Sequence, residues 1–327
     1  MRENSAREKV LLLLKNSNEY ISGEELSRKM GMTRSAIWKY IKSLRSEGYQ
    51  IDSVTNKGYK LIDSKNVMNA IELEDGLETK EFGRKIVFLE SVDSTNQEVK
   101  RLAVQDAPHG TVVIAEQQLM GKGRLGRAWS SPAGTGMWFS ILLRPQITPG
   151  EVAGITLATG LGVCKAIRHF TGLNALIKWP NDVIVGNKKI CGILTEMTAE
   201  ADRIEYAVVG IGINVNITEF DLEIRSKATS LALETGSEIN RADLFKEVLK
   251  YVEEYIDKFL ADREQGIIKE YTGLCATLGR QVTVTRGNNV LAGKAVSVDS
   301  FGNLNVKLDN GRVIAVNSGE VTVQGIY

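Results

Sequence analysis

Cysteine is scarce in this 327-residue chain: Cys164, Cys191 and Cys275 lie far apart and are odd in number. That spacing suggests neither a disulfide framework nor a thiolate zinc site, and all three read as small buried hydrophobes. Histidine is scarcer still, and His109 and His169 stand apart from every motif described below. No apolar run approaches the roughly 18 residues that span a bilayer. The start, Met1-Arg-Glu-Asn-Ser5, leads into mixed charge, and Leu11 to Leu14 is too short for a secretion signal. A cytoplasmic location with no membrane partner is therefore expected. Repeats and low-complexity segments are also lacking. What remains is an ordinary soluble-protein composition, 43% hydrophobic and 25% charged, in a chain long enough for two or three domains.

The net charge of +1 hides an asymmetry. Residues 1–65 hold 13 Lys and Arg against 8 Asp and Glu, whereas the remaining 262 residues hold 28 against 32. A basic head on a mildly acidic body suits a chain one end of which meets a polyanion.

Within the head, Ala6–Asn16 has the apolar spacing of a helix, with Val10, Leu11, Leu13 and Leu14 on its inner face. Ser22-Gly-Glu-Glu25 is a capping box that opens a second, short helix, Gly31 supplies the turn, and Thr33 caps a third helix running to about Glu47. Ile37, Ile41 and Leu44 share one face of the third helix, while Arg34, Ser35, Trp38, Lys39, Lys42 and Arg45 fall largely elsewhere. A hairpin follows, with strands Ile51–Val54 and Tyr59–Ile62 about Asn56-Lys57-Gly58. Helix-turn-helix plus hairpin is a winged helix, and Thr33, Arg34, Ser35, Trp38, Lys39, Lys42 and Lys57 are its candidate DNA contacts. A small protein-interaction domain with a solvated basic face is the blander alternative, and Trp38 reads equally as a packing residue. Ser64-Lys65-Asn66 is a plausible hinge, residues 66–83 read as a polar linker, and the body starts near Arg84.

Strands are expected in the body at Lys85–Glu90, Thr111–Glu116, Met137–Leu143, Ala175–Lys178, Val183–Val185, Lys189–Thr195 and Ile204–Val215. Helices are expected at about Asn96–Val104, Glu151–Phe170 and Asp243–Asp262. Strands joined by short turns such as Gly186-Asn187 and interrupted by long helices point to a mixed sheet with helices packed on it.

The most informative stretch is Gly121-Lys-Gly-Arg-Leu-Gly-Arg127. It fits G-x-G-x-x-G, yet Ala128-Trp-Ser-Ser-Pro-Ala-Gly134 and a strand follow where a dinucleotide fold needs a helix, and no Gly-Lys-Ser/Thr closes a Walker loop. What is left is a mobile glycine loop whose cations, Lys122, Arg124 and Arg127, suit phosphate oxygens. Lys178-Trp-Pro-Asn-Asp182 places a lysine at the end of an apolar strand, where burial would demand an anion, and an Asn-Asp pair able to position Mg²⁺. A strand-ending turn with Lys178 at the surface is an almost equal reading. Asp93-Ser-Thr-Asn96 reads as an N-cap with room for a second role, and Gly210-Ile-Gly-Ile-Asn-Val-Asn216 as a strand that a ligand can approach closely.

Together, in this order, these motifs resemble the bacterial bifunctional biotin protein ligases, also called biotin operon repressors, over essentially the whole chain. The resemblance rests on Ser94-Thr95-Asn96, Gln118 through Trp129, Lys178 to Asp182, Lys189-Ile-Cys-Gly192 and Gly210 to Asn216. It implies an α+β protein with a winged helix-turn-helix at 1–65, a linker at 66–83, and a class II synthetase-like catalytic domain at 84–273. Residues 274–327 would form a small SH3-like β-barrel, with strands such as Gln281–Thr285 and Val313–Val316 and turns at Gly287-Asn288 and Asn310-Gly311. It further implies an enzyme using biotin, ATP and Mg²⁺ to form biotinyl-5′-AMP. The acyl group would pass to a lysine of a biotin carboxyl carrier domain of acetyl-CoA or pyruvate carboxylase. The adenylate-bound homodimer would repress biotin genes by binding operator DNA. By residue, the resemblance assigns biotin to Ser94, Thr95, Asn96, Gln118, Lys122, Gly123, Arg124 and Lys178. It assigns the nucleotide to Arg124, Arg127, Trp129, Asn181, Lys189 and Asn214, catalysis to Lys178 and Arg124, and the metal to Asp182 and Asn214. Lys122 and Leu125 stand where arginine is common in the family, which bears on dimer contacts and on retention of the intermediate. Three alternatives remain: a lipoate-type acyl ligase, a biotin-sensing transcription factor, and a ligase whose head does not bind DNA.

Overall fold

The protein is described by a computed structural model covering residues 5–64, 67–200, 202–263, 265–286, 289–317 and 319–327, without the side chains of Asp63, Arg286 and Asn289. The expected hinge at Ser64-Lys65-Asn66 and the turn at Gly287-Asn288 lie wholly or partly outside the described residues. The chain forms two compact units, one reaching to Glu72 and including Asn240–Ala242, the other Leu73–Ile239 with Asp243–Tyr327.

The first unit contains helices α1 (Ala6–Lys15), α2 (Gly23–Met30) and α3 (Arg34–Ser46), then a hairpin of β1 (Gln50–Val54) and β2 (Gly58–Asp63). Its core is the inner face that the apolar spacing marks: Val10, Leu11, Leu14, Leu26, Ile37, Ile41 and Leu44 are buried together. Gly31 ends α2 in the left-handed conformation at φ 65°, and the Thr33 hydroxyl accepts the Ala36 N–H. The capping box sits elsewhere than expected. Ser22 caps α2, but Glu25 pairs with Lys29 at 2.9 Å, whereas Ser5 and Glu8 form the reciprocal box on α1. Gly58 needs to be glycine on two counts, a φ of 110° and an added Cβ that would stand 2.1 Å from Ile21 O.

The expected linker is packed. Helix α4 (Ala70–Glu74) carries the chain from one unit to the other, Val67, Met68, Leu73, Thr79 and Phe82 are buried, and Glu253 accepts the N–H groups of Lys80, Glu81 and Phe82. The five residues of α4 are too short a run to register as an element in sequence.

The second unit is built on a seven-stranded sheet. Its elements are β3 (Ile86–Val92), α5 (Thr95–Val104), β4 (Val112–Gln118), β5 (Gly136–Leu143), α6 (Val152–Thr171), β6 (Ala175–Lys178), β7 (Asp182–Val185), β8 (Lys188–Glu200) and β9 (Arg203–Asn214). Three helices follow, α7 (Leu231–Thr235), α8 (Arg241–Ala261) and α9 (Ile268–Leu274). The strand order is β3-β4-β5-β9-β8-β7-β6, with β3 and β4 parallel and every other pair antiparallel. This is the mixed sheet the sequence implies.

Side chains alternate across the sheet and so assign its faces. Phe139 meets Phe245 of α8, Ile193 and Ile177 lie beneath Gly160 of α6, and these residues define the helix-covered face. An added Cβ on Gly162 would stand 2.8 Å from Val252 Cα, so α6 and α8 cross almost backbone to backbone. Over Pro149–Thr171 the helix containing α6 is long and apolar enough to span a membrane, but its apolar window is 67% buried inside the protein. It is the helix expected at about Glu151–Phe170, and it belongs to the core. The opposite face carries α5, through Val99 and Ala103 on Val113, Leu142 and Val208, and beside α5 it presents Ser140, Gly192, Gly210 and Gly212.

The last strands are β10 (Gln281–Arg286), β11 (Asn289–Val298), β12 (Leu304–Lys307), β13 (Val313–Val316) and β14 (Glu320–Val323). They form an antiparallel sheet in the order β13-β12-β11-β10-β14. Among the described residues its two edge strands do not pair, so the expected barrel is observed as an open five-stranded sheet. It is joined to the β6–β7 turn through Trp179, whose indole N–H donates to Gly302 O at 3.0 Å and whose backbone N–H donates to Thr277 Oγ1 at 3.0 Å.

Candidate active site and nucleic-acid interface

The glycines of β8 and β9 make the floor of the site because side chains cross the sheet there. A Cβ on Gly210 would stand 2.2 Å from Asn96 Oδ1, and one on Gly212 2.6 Å from Trp129 Nε1. Over this floor is a hollow of about 50 Å³ lined by Ser94, Thr95, Asn96, Gln118, Lys122, Gly123 and Arg124. That is the expected biotin set with one exception: Lys178 lines the neighbouring cavity instead.

The walls of the hollow are held by a chain of polar contacts. Gln118 Oε1 accepts from the Thr95 N–H at 2.9 Å and the Thr95 hydroxyl at 3.1 Å, and Gln118 Nε2 donates to Ser131 Oγ. The buried Ser140 hydroxyl lies 2.7 Å from Thr95 Oγ1 and 2.6 Å from Asn96 Oδ1, its one proton available to either. Asn96 Nδ2 donates to Glu196 at 2.7 Å, and Glu196 pairs with Lys100 at 2.6 Å. Burial raises the Glu196 carboxyl, but its bonds to Lys100 and Asn96 outweigh that and hold it below the usual carboxylate range. Ser94 occupies the N-cap position of α5 without a side-chain capping bond. The N-cap expected within Asp93–Asn96 thus falls on Ser94 by position, while Gln118 supplies the acceptor for the Thr95 N–H and Ser94 lines the hollow.

A second cavity of about 760 Å³ adjoins the first, sharing Gly123, Arg124, Trp129, Asn181 and Lys189 with it. Arg127, Lys178, Asp182 and Asn214 line it as well, so the whole expected nucleotide set faces one space. Arg124 stands at the junction. It donates to Asn181 Oδ1 at 2.9 Å and to Gly319 O at 3.1 Å, and burial lowers its pKa. Arg127 pairs with Glu320 at 2.5 Å, which raises the arginine and lowers the glutamate. The loop itself is ordered by contacts: a 3₁₀ turn at Arg124–Gly126, Gly123 N–H to Arg127 O, and Trp129 N–H to Gly121 O. Leu125, at its exposed tip, adopts φ 56°, a region that costs a branched side chain strain. Among the described residues the Trp129 indole N–H, buried beside the cavity, has no acceptor, which marks a place for a ligand's acceptor.

Lys178 is 7% exposed. Burial pushes its ammonium down to about 8, Asp182 partly offsets this, and Lys189 adds to the depression. The surface reading of Lys178 is excluded. Asp182 and Asn214 do not make a metal cage as placed: Asp182 faces Lys189 Nζ at 2.6 Å and accepts from the Tyr327 hydroxyl, while Asn214 Nδ2 donates to Thr229 O. Among the described residues no group of three His, Cys, Asp or Glu could hold a metal ion. His109 and His169 lie outside both cavities, accepting the Arg144 N–H and pairing with Glu247 respectively.

In the head, Thr33, Arg34, Ser35, Trp38, Lys39 and Lys42 are all exposed along α3, opposite its buried face. Trp38 is 53% exposed with Lys42 Nζ 5.5 Å from its ring, so it is no packing residue. Arg45 is turned to structure instead: its guanidinium donates to Ile51 O and Ser53, fastening α3 to the hairpin. Lys57, at the hairpin tip, is joined by two residues absent from the expected set, Tyr20 and Lys60, with both ammonium groups 6.0 Å from the Tyr20 ring.

Ser140, Glu196, Glu320 and Tyr327 are among the residues at or supporting the two cavities that sequence reasoning did not name. Only Ser140, a lone polar residue within Met137–Leu143, carried a sequence signal; the others are brought in by long-range packing.

Fold and site together define a mixed-sheet unit with two adjoining cavities lined by cations and amides, preceded by a helix-turn-helix head. Residues 88–214 match the Biotin/lipoate A/B protein ligase family, residues 6–60 an HTH domain, and residues 277–323 the Biotin protein ligase C terminal domain. The chain is 34% identical to the Bifunctional ligase/repressor BirA of Bacillus subtilis, over 95% of this chain and 96% of that one. With its Escherichia coli counterpart it shares 28% identity over 99% of each. Among solved structures, the biotin protein ligase from Aquifex aeolicus in complex with biotin and ATP aligns with a TM-score of 0.64 and 32% identity, covering 74% of this chain and 99% of that one. The chain belongs to the family of bifunctional biotin ligase/repressors.

Proposed function

We propose that this protein is an ATP-dependent biotin protein ligase that also represses transcription. The observation carrying this reading is the pair of adjoining cavities that meet at Arg124, Asn181 and Lys189, with Lys178 lining the larger. Biotin's rings enter the small hollow, where Ser94, Thr95, Asn96, Gln118, Lys122 and Gly123 supply paired donors and acceptors. The carboxylate then reaches the junction, where ATP presents its α-phosphate. A carboxylate oxygen attacks phosphorus, the bond to the bridging oxygen breaks, and pyrophosphate leaves with the electron pair. Lys178 and Arg124 neutralise the charge that gathers on the phosphoryl oxygens, and positioning does the rest. Arg127, Trp129, Lys189 and Asn214 hold the nucleotide. Asp182 and Asn214 are not assigned a resident cation; hydrated Mg²⁺ entering with ATP would balance the triphosphate charge.

In the second half-reaction, the lysine amine of a biotin carboxyl carrier domain of acetyl-CoA or pyruvate carboxylase attacks the acyl carbon, and AMP leaves. The adenylate-bound form pairs with a second copy, so that two heads address a palindromic operator in the cytoplasm. In each, Thr33, Arg34, Ser35, Trp38, Lys39 and Lys42 of α3 face the major groove, and Lys57 the backbone. The division of labour proposed is 1–65 for DNA, 84–273 for adenylation and 274–327 as its lid. Incubating the chain with biotin, ATP, Mg²⁺ and a carrier domain, with labelled operator present, tests both activities. Biotinylated carrier and an adenylate-dependent mobility shift are expected. Absence of carrier biotinylation would remove the ligase reading.

A further inference from the structure

Lys178 is a buried cation with no carboxylate at ion-pair distance among the described residues. An ammonium so placed needs something to hold it. Tyr327 provides it: Lys178 Nζ lies 3.6 Å from the centroid of the Tyr327 ring. The same side chain donates its hydroxyl to Asp182 Oδ2 at 2.5 Å. Lys178 and Asp182 are partners across the β6–β7 pair, so one tyrosine spans both ends of that rung. The other Asp182 oxygen is 2.6 Å from Lys189 Nζ, which stands 5.0 Å from the Trp129 ring. The Tyr327 backbone N–H donates to Asn187 O, which anchors the residue at the β7–β8 turn.

We propose that Tyr327 is a positioning residue of the adenylation site: its ring sets the Lys178 ammonium, and its hydroxyl sets Asp182 and thereby Lys189 against Trp129. This rests on the reading of the site as one that joins biotin to ATP. The two parts of the side chain have separable roles. The ring acts on the cation that meets the reacting phosphate and so on the rate of the chemical step. The hydroxyl acts through Asp182 and Lys189 on the nucleotide-facing wall and so on ATP binding. Tyr327 itself does not line the hollow assigned to biotin, whose boundary with the larger cavity is shared by Lys189 and Trp129.

The test uses full-length protein and two variants, Tyr327→Phe and Tyr327→Leu, in biotin-dependent exchange of pyrophosphate into ATP. Biotin binding without nucleotide and thermal melting are measured alongside. Tyr327→Leu should lose about thirtyfold in kcat, the range of a desolvated cation–π contact. Tyr327→Phe should keep kcat near wild type and raise the KM for ATP several-fold. Biotin affinity should be unchanged in both. The proposal is overturned if Tyr327→Leu exchanges as fast as wild type or faster, if the two variants lose kcat equally, or if biotin affinity falls in step with the rate. Absence of biotin-dependent exchange in the wild-type chain would instead remove the underlying reading of the site, and this proposal with it.

Discussion

Raising the pH through 8 should discharge Lys178 and slow adenylation, because burial has brought its ammonium down to about 8. The sign follows from the charge type. A lysine is cationic below its pKa, so Lys178 is charged in about nine-tenths of molecules at pH 7 and in about one-tenth at pH 9. The ratio kcat/KM for ATP reports the free enzyme and should fall about tenfold per unit on the alkaline side of about pH 8. Bound triphosphate favours the charged form, so the fall in kcat should begin at higher pH. Lys178→Ala removes a cation aimed at the transition state, at a cost of about 3–4 kcal/mol or 10²–10³ in rate, and should flatten the alkaline limb. Lys178→Arg stays charged throughout and should also lose the limb, with a lower plateau because a planar fork replaces a point charge. Pyrophosphate exchange at saturating biotin between about pH 6.5 and 10, with circular dichroism to confirm folding, is the assay. An alkaline limb that survives in Lys178→Arg, or an alanine variant within about threefold of wild type, would refute the reasoning.

Three further outcomes are expected. Arg124→Gly removes both bonds that close the loop across the cavity junction, so preformed adenylate should escape about tenfold faster or more in a chase experiment, and unchanged retention would contradict that role. Ser140→Ala removes the hydroxyl ordering Thr95 and Asn96, so calorimetry should show biotin affinity reduced by about 5–30-fold with the KM for ATP unaffected. A loss below twofold would mean that Ser140 does not order the pocket. Replacing Lys39 and Lys42 together by alanine should weaken operator binding and lessen the log–log salt slope by about 1.8, with ligase activity intact; an unaltered slope would place the phosphate contacts elsewhere on the head.

Much of this protein is written in short-range pattern. The apolar faces of α1 and α3, the left-handed Gly31, the Thr33 cap and the β6 strand Ala175–Lys178 are decided by residues within a few positions of one another, and period and capping chemistry expose them. The cations and glycines of Gly121–Arg127 are equally plain in the chain, as is the failure of that loop to open a helix. Local pattern therefore determined that a basic helix-turn-helix precedes a mixed sheet with a cationic glycine loop.

Tertiary structure decided how those charges are used. Lys178 could be surface or core on sequence grounds, since a strand-ending lysine is compatible with either. It is core because Tyr327, nearly 150 positions away, lies over it. Asp182 looked free to bind a metal until Lys189 and Tyr327 took its oxygens, and Arg45, off the apolar face of its helix, is spent on the hairpin carbonyl of Ile51. Ser94 sits where a cap should be, yet Gln118 reaches across from β4 to do the capping. Even the expected linker proved to be packed, through Glu253 on a distant helix. Desolvation and ion pairing depend on what arrives from elsewhere in the chain. Residue type fixes which charges are available, and only the fold fixes which of them remain for a ligand.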